Sequence, residues 1–398
     1  MSTHPTTLAV DPTAITSERT LPVSTTTIAT TPDVVGELLV AARQDDPAST
    51  APFQLVDEKG ELTPAGQCLG VDLELAKNLH TDMVLARRLD HEALALQRQG
   101  ELHLWLMAWG QEAAQVGSIR ALRDTDHVFP SYREHAALLC RGISPADLLR
   151  QWRGAAHSGW NPAVSHVHIN SLVLGTQTLH ATGYAAGVRL DRSDEVVMTY
   201  FGDGAASQGD VNEALNWAAA GTLPVVFFCQ NNQWAISTPT VTQMRTPLHV
   251  RAAGFGVAGY HVDGNDALAV HAVTQHAAAR VRAGEGPALI EAQTYRLAGH
   301  SSSDDPTRYR TDDELAGWKA KDPVARLERL LRNVGVSERH FSDLEVRADV
   351  FAADVREQCK SVHGDDLAVV FEHTYSEPHP VMQSELAQHL AHHDRTVA

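Results

Sequence analysis

At 398 residues the chain is long enough to bury a large core, and its 43% hydrophobic and 20% charged residues are ordinary for a globular protein. Thirty-two basic residues against 49 acidic ones give a net charge of -17, which argues against a nucleic-acid surface or an anionic membrane as the main partner, so any phosphate ligand must be held by local groups. Four cysteines without CxxC spacing (Cys68, Cys140, Cys229, Cys359) point away from structural zinc or a disulfide framework and towards a reducing cytoplasm.

The first 50 residues, rich in Thr, Ser and Pro, are expected to form a flexible extension. They lack the basic character of a transit peptide, and no stretch of the chain is apolar enough to cross a bilayer. From about residue 70 the pattern turns helical, with Leu75, Leu79, Met83, Leu85 and Leu89 at three and four spacing. "QEAAQVGSIRALR" reads as another helix, and Pro130 and Ser131 predict a helix starting at Tyr132. "GTQTLHATGYAAGVRL" carries small residues towards one face, suited to close packing on a sheet or a second subunit. "EVVMTYFGDG" reads as a buried strand, "DVNEALNWAAAG" as a helix and "PVVFFCQNN" as the next strand; a turn, a helix and a third strand, "ALIEAQTYR", follow and lead to His300. The expected architecture is α/β, a mostly parallel sheet flanked by helices over residues 51–335, with a helical region at 336–398.

"FGDGAASQGD" and "CQNNQWAIST" carry the chemistry. Glycine lets the backbone approach a ligand closely, and aspartate and asparagine supply the oxygens that magnesium prefers. Asp203 and Asn232 are separated by one helix and one strand, which brings both to the same edge of a parallel sheet, where such sheets bind ligands. A glycine, aspartate, glycine triplet alone is most often a turn; joined to the asparagine pair at this spacing it is not.

The run from Gly202 through Asn232 resembles the thiamine-diphosphate motif that opens with GDG and closes with NN. With "FPSYREH" before it and "GHSSSDDPTRYR" after it, the chain resembles the alpha subunit of the thiamine-dependent first component of 2-oxo acid dehydrogenase complexes, from about residue 65 to 335. The resemblance implies a thiamine-diphosphate-binding fold. It makes Asp203, Asn232 and the main-chain carbonyl of Trp234 ligands of Mg2+, and Gly202, Gly204 and Ala205 contacts of the diphosphate along with Tyr132 and Arg133. Leu172 and Leu174 match main-chain contacts of the aminopyrimidine, and His300 matches a catalytic residue near the diphosphate. Gln230 departs from animal branched-chain enzymes, which carry arginine there, and Ser301 matches a phosphorylation position of animal relatives. The implied activity is oxidative decarboxylation of a 2-oxo acid, branched-chain or pyruvate, with acyl transfer to a lipoyl group on an acyltransferase second component. No second complete domain is visible for the pyrimidine half of the site, so a beta subunit is implied, in a heterotetramer of two alpha and two beta chains.

Against this stand plainer readings. Arg133 is equally a surface helix residue paired with Glu134 or Asp126, His300 is one of 22 histidines, and "SSSDDPTRYR" is either a linker or a loop ordered by pairing among Asp304, Asp305, Arg308, Tyr309 and Arg310. A catalytically silent assembly subunit of the same fold would keep the architecture without the activity. A nucleotide-binding module lacks both a Walker lysine and a dinucleotide fingerprint here.

Overall fold

The computed structural model describes residues 33–45, 51–364, 368–372 and 374–397. Most of the expected flexible extension, residues 1–32 and 46–50, therefore lies outside the described residues, while Val34–Asp45 between them is a helix.

The apolar runs read as strands form the middle of a sheet: β2 (Val197–Gly202), β3 (Val225–Asn231) and β7 (Ala288–Gln293). Two shorter strands flank them, β1 (His127–Phe129) and β6 (Ala258–Asp263), giving the order β1-β2-β3-β7-β6, with every pair parallel. Between β3 and β6 a small antiparallel hairpin pairs β4 (Trp234–Ala235) with β5 (Thr238–Pro239).

Side chains alternate across the pleat. Met198, Tyr200, Val226, Phe228 and Ile290 enter one core, while Val197, Phe201, Val225, Phe227 and Leu289 enter the other. Both faces are covered, as a parallel sheet requires. Leu73–Arg98, Glu112–Arg120, Ala267–Arg282 and Pro323–Asn333 pack on the first, and Thr176–Asp191 and Gly209–Gly221 on the second. At about 1.5–3 kcal/mol for each fully buried large apolar side chain, these two layers dominate the stability of the fold.

One sequence expectation at the edge of the sheet needs correction. The helix expected from Tyr132 begins at His135, because the Arg133 carbonyl accepts from Gln115 Nε2 (3.0 Å) and the Arg133 side chain reaches the Met107 and His300 carbonyls (2.7 and 2.9 Å). Tertiary partners there replace the local helical turn. Within the region expected to be helical, Glu338–Ser361 is a helix whose first turn is capped by the Ser337 hydroxyl, which accepts the Arg339 N–H. Pro380–Val397, in the same region, is also a helix.

Candidate cofactor and metal site

In a parallel sheet every carboxyl end points to the same edge, and here four of them deliver the candidate residues together. Tyr132 and Arg133 follow β1, Asp203 follows β2, Asn232 follows β3, and His300 follows β7. Gly202 pairs in register with Gln230, so Asp203 emerges beside the asparagine pair, where the Asn232 N–H donates to the Gln230 carbonyl (3.0 Å).

Asp203 is 1% exposed. Its Oδ2 accepts from the Thr240 hydroxyl at 2.5 Å, while its Oδ1 has no partner in the protein. Burial pushes the carboxyl above the usual range, and the Thr240 hydroxyl only partly offsets this. A buried, unpartnered carboxylate oxygen is what a bound cation would satisfy. The amide of Asn232 is oriented by Gln111, whose Oε1 accepts its Nδ2 at 3.1 Å, while its Oδ1 accepts the Trp234 N–H at 3.2 Å. Among the described residues no group of three His, Cys, Asp or Glu side chains could hold a metal alone. An ion at Asp203 must share its shell with amide, carbonyl or ligand oxygens, and that donor set suits Mg2+ bound to a diphosphate.

Gly204 packs against Ala235 of the hairpin. A Cβ there would stand 2.7 Å from the Ala235 Cβ, so the glycine lets the hairpin settle against the turn after β2. The hairpin is strained: Gln233 and Ile236 hold φ of 73° and 54°, and the left-handed region is costly for a β-branched residue. Thr240 N–H to the Gln233 carbonyl (3.0 Å) and Arg296 to the Ile236 carbonyl (2.6 Å) hold it in place.

Arg296, like Thr240, is a residue that sequence reasoning missed. It is 1% exposed and also donates to the Tyr309 hydroxyl at 2.7 Å, with a second nitrogen 3.5 Å from His300 Nδ1. A buried arginine three positions past a buried strand must find partners, and that was the signal available in "EAQTYR". Arg133 approaches the same His300 nitrogen at 3.4 Å. Burial first, then these two guanidinium groups, hold the His300 imidazole down to about 4, so it is neutral at physiological pH. Two guanidinium groups facing a partly open imidazole form a receptacle for an anion.

The loop after His300 is held in place by its own side chains. Asp304 accepts the His300 N–H (2.7 Å) and the Tyr309 hydroxyl; although burial opposes it, these bonds and Arg296 keep the Asp304 carboxyl below its usual range. Of the expected pairings, Asp304 with Tyr309 is present. Arg310 instead bonds the carbonyls of Arg296 and Leu297 (2.6 and 2.8 Å), and Asp305 caps Thr307. Ser301 is half-buried beside them.

Leu172 and Leu174 lie in the turn that precedes Thr176–Asp191, Leu172 exposed and Leu174 against the second core. Ala205 is buried at the start of the short 3-10 turn after Gly204. Gln230 donates to Glu134 at 2.6 Å and accepts from Gln115 at 3.1 Å, so its amide joins two buried groups.

The family model for the dehydrogenase E1 component matches residues 80–366. The chain is 45% identical over 350 residues to the 3-methyl-2-oxobutanoate dehydrogenase subunit alpha of Mycobacterium tuberculosis, covering 87% of this chain and 95% of that protein. It is 35% identical over 338 residues to the mitochondrial 2-oxoisovalerate dehydrogenase subunit alpha 2 of Arabidopsis thaliana, covering 82% and 72%. It is also 35% identical over 341 residues to the pyruvate dehydrogenase E1 component subunit alpha of Staphylococcus aureus, covering 85% and 90%.

Proposed function

This chain belongs to the dehydrogenase E1 component family as the alpha subunit of a 2-oxo acid dehydrogenase, and from that premise we propose that it oxidatively decarboxylates a branched-chain 2-oxo acid such as 3-methyl-2-oxobutanoate. The acyl group passes to the lipoyl group of an acyltransferase second component, and a beta subunit completes each site in an assembly of two alpha and two beta chains. Thiamine diphosphate, when bound, supplies the electron sink for loss of carbon dioxide.

The chain's own groups supply position and charge. Asp203, the Asn232 amide oxygen and the Trp234 carbonyl hold Mg2+, and Gly202, Gly204 and Ala205 let main chain approach the diphosphate. Tyr132 and Arg133 meet the diphosphate, and the main chain at Leu172 and Leu174 meets the aminopyrimidine. Arg296 adds positive charge behind His300. Gln230 brings no charge; its role is to hold Glu134, leaving compensation to Arg133, Arg296, His300 and the metal. His300 is the catalytic residue, its neutral imidazole suited to accept or guide a proton during acyl transfer.

The observation that carries this reading is Asp203: a buried carboxylate with one unpartnered oxygen, at a strand end beside the oriented amide of Asn232. Pyruvate is the second reading, favoured by the Staphylococcus aureus relative. The test is turnover of 3-methyl-2-oxobutanoate against pyruvate by the chain combined with its beta subunit, with the isolated chain as control. Higher kcat/KM for pyruvate would move the assignment to the second reading, and full turnover by the isolated chain would refute the shared site.

A further inference from the structure

A small cavity beside the Ser131–Glu134 turn is walled by Trp152 and Trp160 and lined by the polar residues Ser131, Glu134, Gln151 and Asn170. Three polar atoms of these residues, Glu134 Oε2, Gln151 Nε2 and Asn170 Nδ2, are buried without a protein partner. Glu134 and Asn170 are 2% and 5% exposed. Ser131 stands beside the Glu134 carboxyl without closing a full hydrogen bond on Oε2.

The polarity of this site is fixed from the main chain outwards. The Ala136 N–H donates to Gln115 Oε1 (3.1 Å), so Gln115 must present its Nε2 to Gln230, whose Oε1 accepts it (3.1 Å). Gln230 is then left to donate its Nε2 to Glu134 Oε1 (2.6 Å). The other oxygen, Oε2, remains for the cavity. Asn170 and Gln151 contribute donors, and Glu134 Oε2 and the Ser131 hydroxyl contribute acceptors. Two donors and two acceptors are the complement of one water molecule. The cavity offers about 10 Å³ to the centre of a water molecule, about the minimum that one molecule needs.

We propose that this cavity binds one structural water, which joins Glu134 to Asn170 and Gln151 and thereby ties the Tyr132–Arg133 turn to the segment carrying Leu172 and Leu174. In the functional reading above, on which this consequence rests, those two segments hold opposite ends of thiamine diphosphate. The water is then a positioning element shared between the diphosphate and aminopyrimidine ends. His157 supports the arrangement from the other side, its Nε2 lying 3.2 Å from the Asn170 carbonyl.

A crystal structure of the chain with its beta subunit, at a resolution where ordered solvent is visible, tests the site directly. Density bonded to Glu134 Oε2 and Asn170 Nδ2 is expected; a dry cavity, or those atoms bonded directly to each other, overturns it. The tie is tested with Gln151→Met, which keeps side-chain length and removes the donor. With magnesium present, calorimetry should show thiamine diphosphate binding roughly three- to tenfold weaker, the value of one net hydrogen bond. Inorganic pyrophosphate, which reaches one segment only, should lose less. Equal losses, or none, overturn the tie. Water found in a complex that takes up no thiamine diphosphate would support the site and sink the functional reading instead.

Discussion

Gly204→Ala is a steric perturbation with little backbone component. Gly204 has φ of −62° and ψ of −40°, which any residue adopts, so alanine introduces no dihedral strain. Its new methyl would stand 2.7 Å from the Ala235 Cβ and 3.4 Å from the Ala235 Cα. Carbon atoms pack best at about 3.5–4.0 Å, so the hairpin must retreat by about 1 Å. It cannot do so freely, because Arg296 holds the Ile236 carbonyl and Thr240 holds Asp203. Overpacking of this kind costs about 1–3 kcal/mol. In urea unfolding of the holoenzyme, Gly204→Ala should lower stability by that amount and weaken magnesium-dependent binding of thiamine diphosphate. Ala235→Gly removes the opposing methyl and alone should cost about 0.5–1 kcal/mol. In the double variant the two losses should fall short of additive by at least about 1 kcal/mol. A neutral Gly204→Ala, or strict additivity, would refute the close packing of the two motifs.

Other expectations concern the residues around His300 and the acid behaviour of the fold. His300→Ala should retain most cofactor affinity while acylation of a lipoyl domain falls about a hundredfold or more; unchanged single-turnover acylation would remove His300 from the catalytic role. Arg296→Gln removes the hydrogen bonds to the Ile236 carbonyl and the Tyr309 hydroxyl, at about 0.5–1.5 kcal/mol for each net hydrogen bond lost, and an unaltered urea midpoint would contradict that role. Burial holds His80, His127, His168 and His271 down to about 4 and His135 to about 3. These imidazoles therefore bind more protons in the unfolded chain between about pH 6.5 and 4, outweighing Asp90 and Asp266, which burial holds up to about 7 and about 6 and which bind more in the folded chain. Stability should be full above that window and fall as pH drops through it; a urea midpoint flat across the window would show that these imidazoles are not held neutral.

The middle of the fold was legible because β2, β3 and β7 are continuous apolar runs bounded by turn residues, the pattern of strands buried on both faces. β1 escaped notice because three residues carry no periodicity, and β6 because glycine and histidine interrupt its apolar pattern at the sheet edge. Asp203 and Asn232 stood out since strand ends and oxygen ligands coincide in the sequence. Arg296 and Thr240 did not, because their partners are the Ile236 carbonyl and Asp203, contacts that exist only once the hairpin has folded back. The start of the helix at His135 was hidden for the same reason: Gln115, eighteen positions earlier, takes the Arg133 carbonyl.

The most direct measurement is calorimetric titration of thiamine diphosphate into the chain assembled with its beta subunit, with and without magnesium, for the native protein and for Asp203→Asn. Binding that requires magnesium in the native protein and is lost or strongly weakened in Asp203→Asn is the expected result. Binding of equal strength without the metal, or unaffected by the substitution, would contradict the assignment of Asp203 as the anchor of the cofactor.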